Sequence, residues 1–186
     1  MSNVQNDKAS RAKSAEKIER AFFELIRERR YSDVSVIDIC EAAGVARKTF
    51  YRNYESKAQV IERKADREFA KFLEQFNPET VDTRVMYLYV YERILSDKPF
   101  AAAMRDDNVI AILTEKIVEY FENIFETVHC NAPLFEPRLG GYYIRFFAVG
   151  LESLLKSWID DDCKTPPMTM AALTEKLLYG VTRQTR

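Results

Sequence analysis

The chain has 186 residues, of which 47% are hydrophobic and 31% charged, enough apolar material for a real core and too much for a chain disordered throughout. Its 28 basic and 29 acidic side chains leave a formal net charge of −1, so the bulk charge carries no mark of nucleic acid. No apolar run approaches the roughly 18 residues that span a bilayer, and Met1–Lys13 is polar where a signal peptide would be apolar; a soluble, cytoplasmic protein with no membrane partner is predicted.

The 5 glycines and 6 prolines fall almost entirely between long segments that hold neither, the pattern of helices joined by short turns. The predicted fold class is therefore all-α. Residues 1–8 read as a disordered tip. Ile18, Phe22, Leu25 and Ile26 then recur at i, i+4, i+7 and i+8, an amphipathic first helix that ends near Arg29 or Arg30. Ser35, three residues before Asp38, caps a short second helix from Val36 to about Ala43, and Gly44 supplies the positive φ that ends it. The next helix follows at once with Phe50 as its buried anchor. At about 100° per residue Ala46 and Tyr54 share the side of Phe50, while Lys48 and Arg52 fall nearly opposite, flanked by Thr49 and Tyr51.

Ser56 opens a long fourth helix from Lys57 to about Phe76, closed by Asn77 and Pro78. Further helices are expected at roughly 81–96, 98–106, 108–128, 138–161 and 168–183, about nine in total. Lys98-Pro99, the loop with Pro133 and Pro137, and Pro166-Pro167 supply breaks.

Charge is unevenly spread: residues 1–60 hold 12 Lys or Arg against 9 Asp or Glu, and the remainder 16 against 20. That asymmetry is what a chain shows if only its N-terminal part meets phosphate. Within it, the stretch VIDICEAAGVARKTFYRNYESKAQV from Val36 to Val60 has the layout of a helix-turn-helix, whose second helix enters the major groove of DNA. Lys48 and Arg52 can reach phosphates or guanine edges, and the Thr49 and Tyr51 hydroxyls can donate to phosphate oxygens.

Gly44-Val45, Thr49-Phe50-Tyr51, Tyr54 and Ser56-Lys57 together resemble the Gly-Val, Thr-Phe-Tyr, aromatic, Ser-Lys pattern of the TetR family of regulators. The resemblance implies a three-helix DNA-binding unit at residues 1–56. It also implies a helical dimerisation and effector domain at 57–186, and a homodimer whose last two long helices pair. It implies phosphate contacts from Ser35, Tyr51 and Lys57, and a groove-facing set of Arg47, Lys48, Thr49 and Arg52. Ala46 departs from the pattern, because a hydroxyl residue often starts the recognition helix and would cap it. The C-terminal half, with Gly150-Leu151, Leu154-Leu155, Trp158-Ile159, an acidic stretch and a Pro-rich turn, resembles regulators similar to the dihydroxyacetone-kinase activators.

Aromatics crowd that half, and Tyr87, Tyr91, Phe100, Phe121, Phe125, Tyr142 and Phe146 are the candidates for lining an effector pocket. Tyr143, Phe147, Gly150, Leu151, Leu154 and Trp158 form a stripe assigned to the dimer interface, with Leu173, Leu177, Leu178 and Val181 as the partner face on the last helix. His129 beside Cys130 is the single histidine and gathers no further ligands, so no metal and no cofactor are expected. Cys40, Cys130 and Cys163 are widely spaced and odd in number, which fits a reducing compartment. With no nucleophile elbow and no metal cluster, an enzyme is not expected. The predicted function is a DNA-binding transcriptional repressor released from a palindromic operator by a small molecule. The alternative is a DNA-binding activator or adaptor controlled by a protein partner.

Overall fold

The computed structural model describes residues 2–77, 80, 82–127 and 139–180. These residues form nine α-helices and one 3-10 turn, with no strand among them. The helices are α1 (Ser2–Glu28), α2 (Val36–Ala43), α3 (Arg47–Asn53), α4 (Lys57–Gln75) and α5 (Thr83–Ser96), followed by α6 (Lys98–Ala103), α7 (Asp107–Thr127), α8 (Gly140–Asp160) and α9 (Pro167–Gly180). The all-α class and the helix boundaries follow the sequence closely, except at the start. The expected disordered tip is helical from Ser2, because the run to Glu28 contains neither glycine nor proline to stop the helix propagating.

The first bundle forms where α1 lays Ile18, Phe22, Phe23 and Ile26 against Ile39 of α2, Phe50 of α3 and Val60 and Ile61 of α4, all buried. Ser35 closes a capping box on α2: its hydroxyl accepts from the Asp38 N–H, and the Asp38 carboxylate accepts from the Ser35 N–H at 2.7 Å. Such a box satisfies two of the backbone donors that a helix start leaves unpaired. Gly44 ends α2 at φ +63°, its N–H directed to the Cys40 and Glu41 carbonyls. A β-carbon there would meet nothing within 4 Å, so a substitution would cost only the left-handed backbone, about 1–2 kcal/mol.

In the second bundle α5 packs along α9, and the buried Tyr91 hydroxyl pairs with the Thr174 hydroxyl at 2.7 Å. The Tyr91 ring meets Trp158 of α8 edge-on, with centroids 5.0 Å apart. Trp158 donates its indole N–H to the Thr165 carbonyl at 2.7 Å, which folds the α8–α9 turn back on itself. Asp162 and Cys163 take positive φ values of 54° and 55° in that turn. Arg105 donates to the Ile159 carbonyl at 2.9 Å and pairs with Asp162 at 2.6 Å, while Asp161 pairs with Lys164. Two of the three acids in the run Asp160–Asp162 therefore hold the end of α8 in place.

Two of the contacts that join the bundles lie beside α1 and the turn that follows it. Phe100 of α6 packs edge-on against Phe23 of α1 at 5.4 Å. Asp106, ahead of α7, accepts the Tyr31 N–H at 2.7 Å and the Asn108 N–H at 2.9 Å. One carboxylate thus caps α7 and grips the turn that precedes α2. A single hydrophobic cluster runs through both bundles, from Ile18 to Ala171.

Candidate functional site

The short helix α3 divides its residues sharply. Phe50, Asn53 and Tyr54 are buried, the last at the C-cap, and Asn53 donates to the Thr49 carbonyl at 2.7 Å. Arg47, Lys48, Tyr51 and Arg52 are exposed, and Thr49 is half-buried. Tyr51 rests edge-on against Phe50 with centroids 5.5 Å apart, so its ring is fixed while half of its surface stays in solvent. Among the described residues no carboxylate neutralises Arg47, Lys48 or Arg52. Ala46 sits at the N-cap without a side-chain bond, as the sequence implied. Arg11 of α1 donates to the Arg52 carbonyl, bracing the end of α3.

Two residues expected to touch phosphate are engaged within the chain. The Ser35 hydroxyl donates to the carboxylate of Asp38 and accepts from its N–H. The Lys57 ammonium donates to the Tyr31 carbonyl at 2.6 Å and the Val34 carbonyl at 2.7 Å, and lies 4.2 Å from the Tyr31 ring centre. The Tyr31 carbonyl already accepts the Val34 N–H at 3.3 Å, and Lys57, at the start of α4, adds a second donor to it and reaches the Val34 carbonyl as well. Burial pushes the Lys57 ammonium below its ordinary value, against the pull of Asp106, Asp33 and Asp38.

The Ser35 hydroxyl and N–H hold the Asp38 carboxyl down, from the usual 3.8 to about 2, with Arg29 assisting. A carboxyl depressed in the folded state contributes stability above its ordinary value and loses it as pH falls through the folded one. The capping box is therefore expected to open between about pH 4 and about pH 2. An NMR titration should place the Asp38 midpoint near 2, and Ser35→Ala should return it toward 3.8. An unchanged midpoint in that variant would contradict the assignment.

A cavity of about 190 Å³ lies between α4, α5, α6, α7 and α8. Its walls are mostly apolar: Phe69 and Phe72 of α4, Tyr87 of α5, Phe100 of α6, Phe121 of α7, and Leu151 and Leu155 of α8. Tyr120 also lines it, stacked on Phe69 with centroids 4.0 Å apart and donating to Asp66 at 2.8 Å. Burial and the Asp66 carboxylate push that phenol up, which keeps it a neutral donor. Charged side chains stand at one end only: Lys64, Glu68, Arg93 and Asp97.

Of the pocket candidates, Tyr87, Phe100 and Phe121 line this cavity. Tyr91 turns away to Thr174, and the side chain of Phe125 lies outside the described residues. Tyr142 and Phe146 are corrected outright, standing 79% and 66% exposed. The dimer stripe is corrected by the same rotation of α8. Phe147, Leu151 and Trp158 are buried inside the chain, and Tyr143, Gly150 and Leu154 are partly covered. The core takes Ile144, Phe147, Ala148, Leu151 and Leu155 as the inward face, which turns Tyr142, Phe146 and Val149 outward. Leu173 and Leu177 of α9 are exposed as expected, whereas the side chain of Leu178, and Val181, His129 and Cys130, lie outside the described residues. Phe69, Phe72 and Tyr120 were not anticipated; the i, i+3 spacing of the two phenylalanines on α4 was the available signal. Among the described residues no cluster of three or more metal-ligating side chains occurs, and no helix is long and apolar enough to cross a membrane.

The family model described as "Bacterial regulatory proteins, tetR family" matches residues 20–63, and that described as "Transcriptional regulator C-terminal region" matches residues 86–180. No curated protein is a significant match. Among solved structures, the fold is similar to the fatty acid degradation regulator FadR from Bacillus halodurans, with a TM-score of 0.67, 22% identity, and coverage of 91% of this chain and 96% of that one. It is also similar to the dihydroxyacetone kinase operon activator DhaS (TM-score 0.60, 16% identity, 91% and 96% coverage). Thermus thermophilus FadR, a repressor solved in complex with lauroyl-CoA, aligns with a TM-score of 0.54 at 19% identity, over 92% of this chain and 96% of that one.

Proposed function

Because the chain belongs to the TetR family of bacterial regulatory proteins, we propose that it is a repressor that binds a palindromic operator as a homodimer and is released by a small apolar effector. The observation that carries DNA binding is the outward face of α3, where Arg47, Lys48, Tyr51 and Arg52 stand exposed on a helix anchored by the buried Phe50. In this reading Arg47, Lys48, Thr49 and Arg52 face the groove, where Lys48 and Arg52 reach base edges or phosphates, and Tyr51 contacts the backbone. Residues 1–56 read DNA, while 57–186 dimerise and receive the signal. The chain has no catalytic role in this reading.

The dimer forms through the side of α8 that the chain leaves bare, Tyr142, Phe146 and Val149, together with Leu173 and Leu177 of α9. Two such helix pairs would make an intersubunit four-helix bundle with isologous contacts. The recognition helices would then sit about one DNA turn apart, ~34–36 Å. A half-open cavity with apolar walls favours a small molecule over a protein partner as the controlling signal, and the lauroyl-CoA complex of the T. thermophilus protein supports an apolar tail. A ligand acts only through its different affinity for the two states. The route for that difference runs from Phe100 and Met104 in the cavity wall to Asp106, and from Asp106 to Tyr31 and Lys57.

Selection of bound sequences from random duplex DNA, followed by sedimentation of the complex, tests this reading. An inverted repeat bound by two chains is expected; binding with no sequence preference would overturn it. Lys57 enters as a positioning residue. Lys57→Ala should weaken binding to all sequences alike and lower the melting temperature, yet leave the salt dependence of affinity unchanged, because no counterion-releasing phosphate contact is lost. A slope reduced by about 1 would instead mark a direct phosphate contact.

A further inference from the structure

The charged end of the cavity is made of ion pairs that already satisfy one another. Lys64, 13% exposed, lies 2.5 Å from Asp97, and Arg93 donates to Glu68 at 2.9 Å from Nε and 2.8 Å from a terminal nitrogen. Each carboxylate is held a second time: Asp97 accepts the Phe100 N–H at the start of α6 at 3.2 Å, and Glu68 pairs with Lys71 at 2.8 Å. The lining thus carries two cations against two carboxylates. A polar groove of about 550 Å³ lies behind this end, against α1, and it adds Arg20, Arg67 and Lys71 against Glu16, Glu19 and Glu24, again in balance. Elsewhere in the lining, the Tyr120 phenol is committed to Asp66, whose charge Lys116 meets at 2.8 Å. Among the described residues no buried side-chain nitrogen or oxygen lacks a partner.

An ion that enters such a chamber gives up its hydration and finds no unanswered charge to replace it. To be held, a carboxylate would have to draw Arg93 from Glu68 or Lys64 from Asp97, and an amine would have to draw a carboxylate from its cation. Breaking a partly buried pair strands the member left behind, a larger loss than the pair's own net worth. Moving Asp97 would also uncap α6. A molecule without charge meets none of these costs, because it only adds contacts along the rings of Phe69, Phe72, Phe100 and Phe121.

We propose that the two ion pairs, Lys64 with Asp97 and Arg93 with Glu68, act as a charge filter, so that the effector is a compact molecule uncharged throughout. This rests on the effector reading above and adds what selects the ligand. The chamber of about 190 Å³ is somewhat larger than an engineered cavity of about 150 Å³ that accepts benzene, so the fit is a molecule with the bulk of about one substituted ring. The apolar chain of an acyl-CoA shares its chemistry with this chamber; the ionised head does not.

Calorimetric titration of the full chain with 2-phenylethanol, phenylacetate, 2-phenylethylamine and octanoyl-CoA, with operator release measured alongside, tests the filter. The alcohol is expected to bind at least about tenfold more tightly than either ion or the thioester, and to lower operator affinity. Unbalancing the wall by one charge is expected to readmit ions by sign. Glu68→Gln should tighten phenylacetate and Arg93→Met should tighten 2-phenylethylamine, each on the order of tenfold, with 2-phenylethanol unchanged. An ion or thioester bound as tightly as the alcohol by the unaltered chain, or variants that leave the preference untouched, would overturn the filter while leaving a small-molecule effector standing. The alcohol bound without operator release would overturn the effector reading and keep the filter. Failure of all four to bind a chain that still binds its operator would overturn both. Should a variant fail to fold, the ratios in the unaltered chain still decide.

Discussion

Lys48→Ala combined with Arg52→Ala is expected to reduce operator affinity on the order of 30-fold or more while leaving the melting temperature unchanged. A side chain that reads a base edge discriminates by about 1–3 kcal/mol, so two such losses amount to at least about 2 kcal/mol, near the stated factor. Neither side chain has an ion-pair partner among the described residues, and both are exposed, so their removal leaves no buried group unpaired. Anisotropy measurements at fixed salt, across duplexes altered one position at a time, should show preference lost at the base pairs they face. Equal losses on every duplex would reassign both residues to phosphate.

The second large effect is expected from Phe146→Glu. Phe146 is 66% exposed, between Tyr142 and Val149 on one side of α8. Covering a phenylalanine fully is worth about 1.5–3 kcal/mol, and an isologous interface counts each substitution twice. Two unpaired carboxylates buried in its place add their desolvation cost. A dissociation constant raised at least 100-fold is expected, with operator affinity falling as each monomer is left with one half-site. Circular dichroism should be unchanged, because the side chain has no role inside the chain. Sedimentation equilibrium supplies the measurement, and an unaltered dimer would remove α8 from the interface.

The first bundle was legible because its signals are local. A capping box spans four residues from Ser35 to Asp38, Gly44 announces its left-handed turn, and Phe50 with Tyr54 shows which side of α3 is inward. The register of α8 was harder to read because Tyr142-Tyr143 and Phe146-Phe147 are adjacent aromatic pairs, so two stripes about 100° apart look equally apolar. What chooses between them is the rest of the inward row, Ile144, Ala148, Leu151 and Leu155, which only one phase of the helix can include. The charged wall had no local signature. Its bonds join Glu19 to Arg67 and Lys64 to Asp97, pairs that become neighbours only after α1, α4 and α6 have packed. The bonds of Lys57 were hidden for a related reason, since the carbonyls it reaches belong to Tyr31 and Val34, more than twenty positions earlier.

The division of labour along α3 separates a regulator's address from its durability. Phe50, Asn53 and Tyr54 carry the packing, and Arg47, Lys48, Tyr51 and Arg52 carry none of the core. Surface substitutions away from caps and core usually change stability by less than about 0.5 kcal/mol. A lineage could therefore rewrite the outward letters of this helix and move the protein to a different operator without passing through an unstable intermediate. After gene duplication, two copies could diverge in target while sharing one scaffold and one apolar cavity.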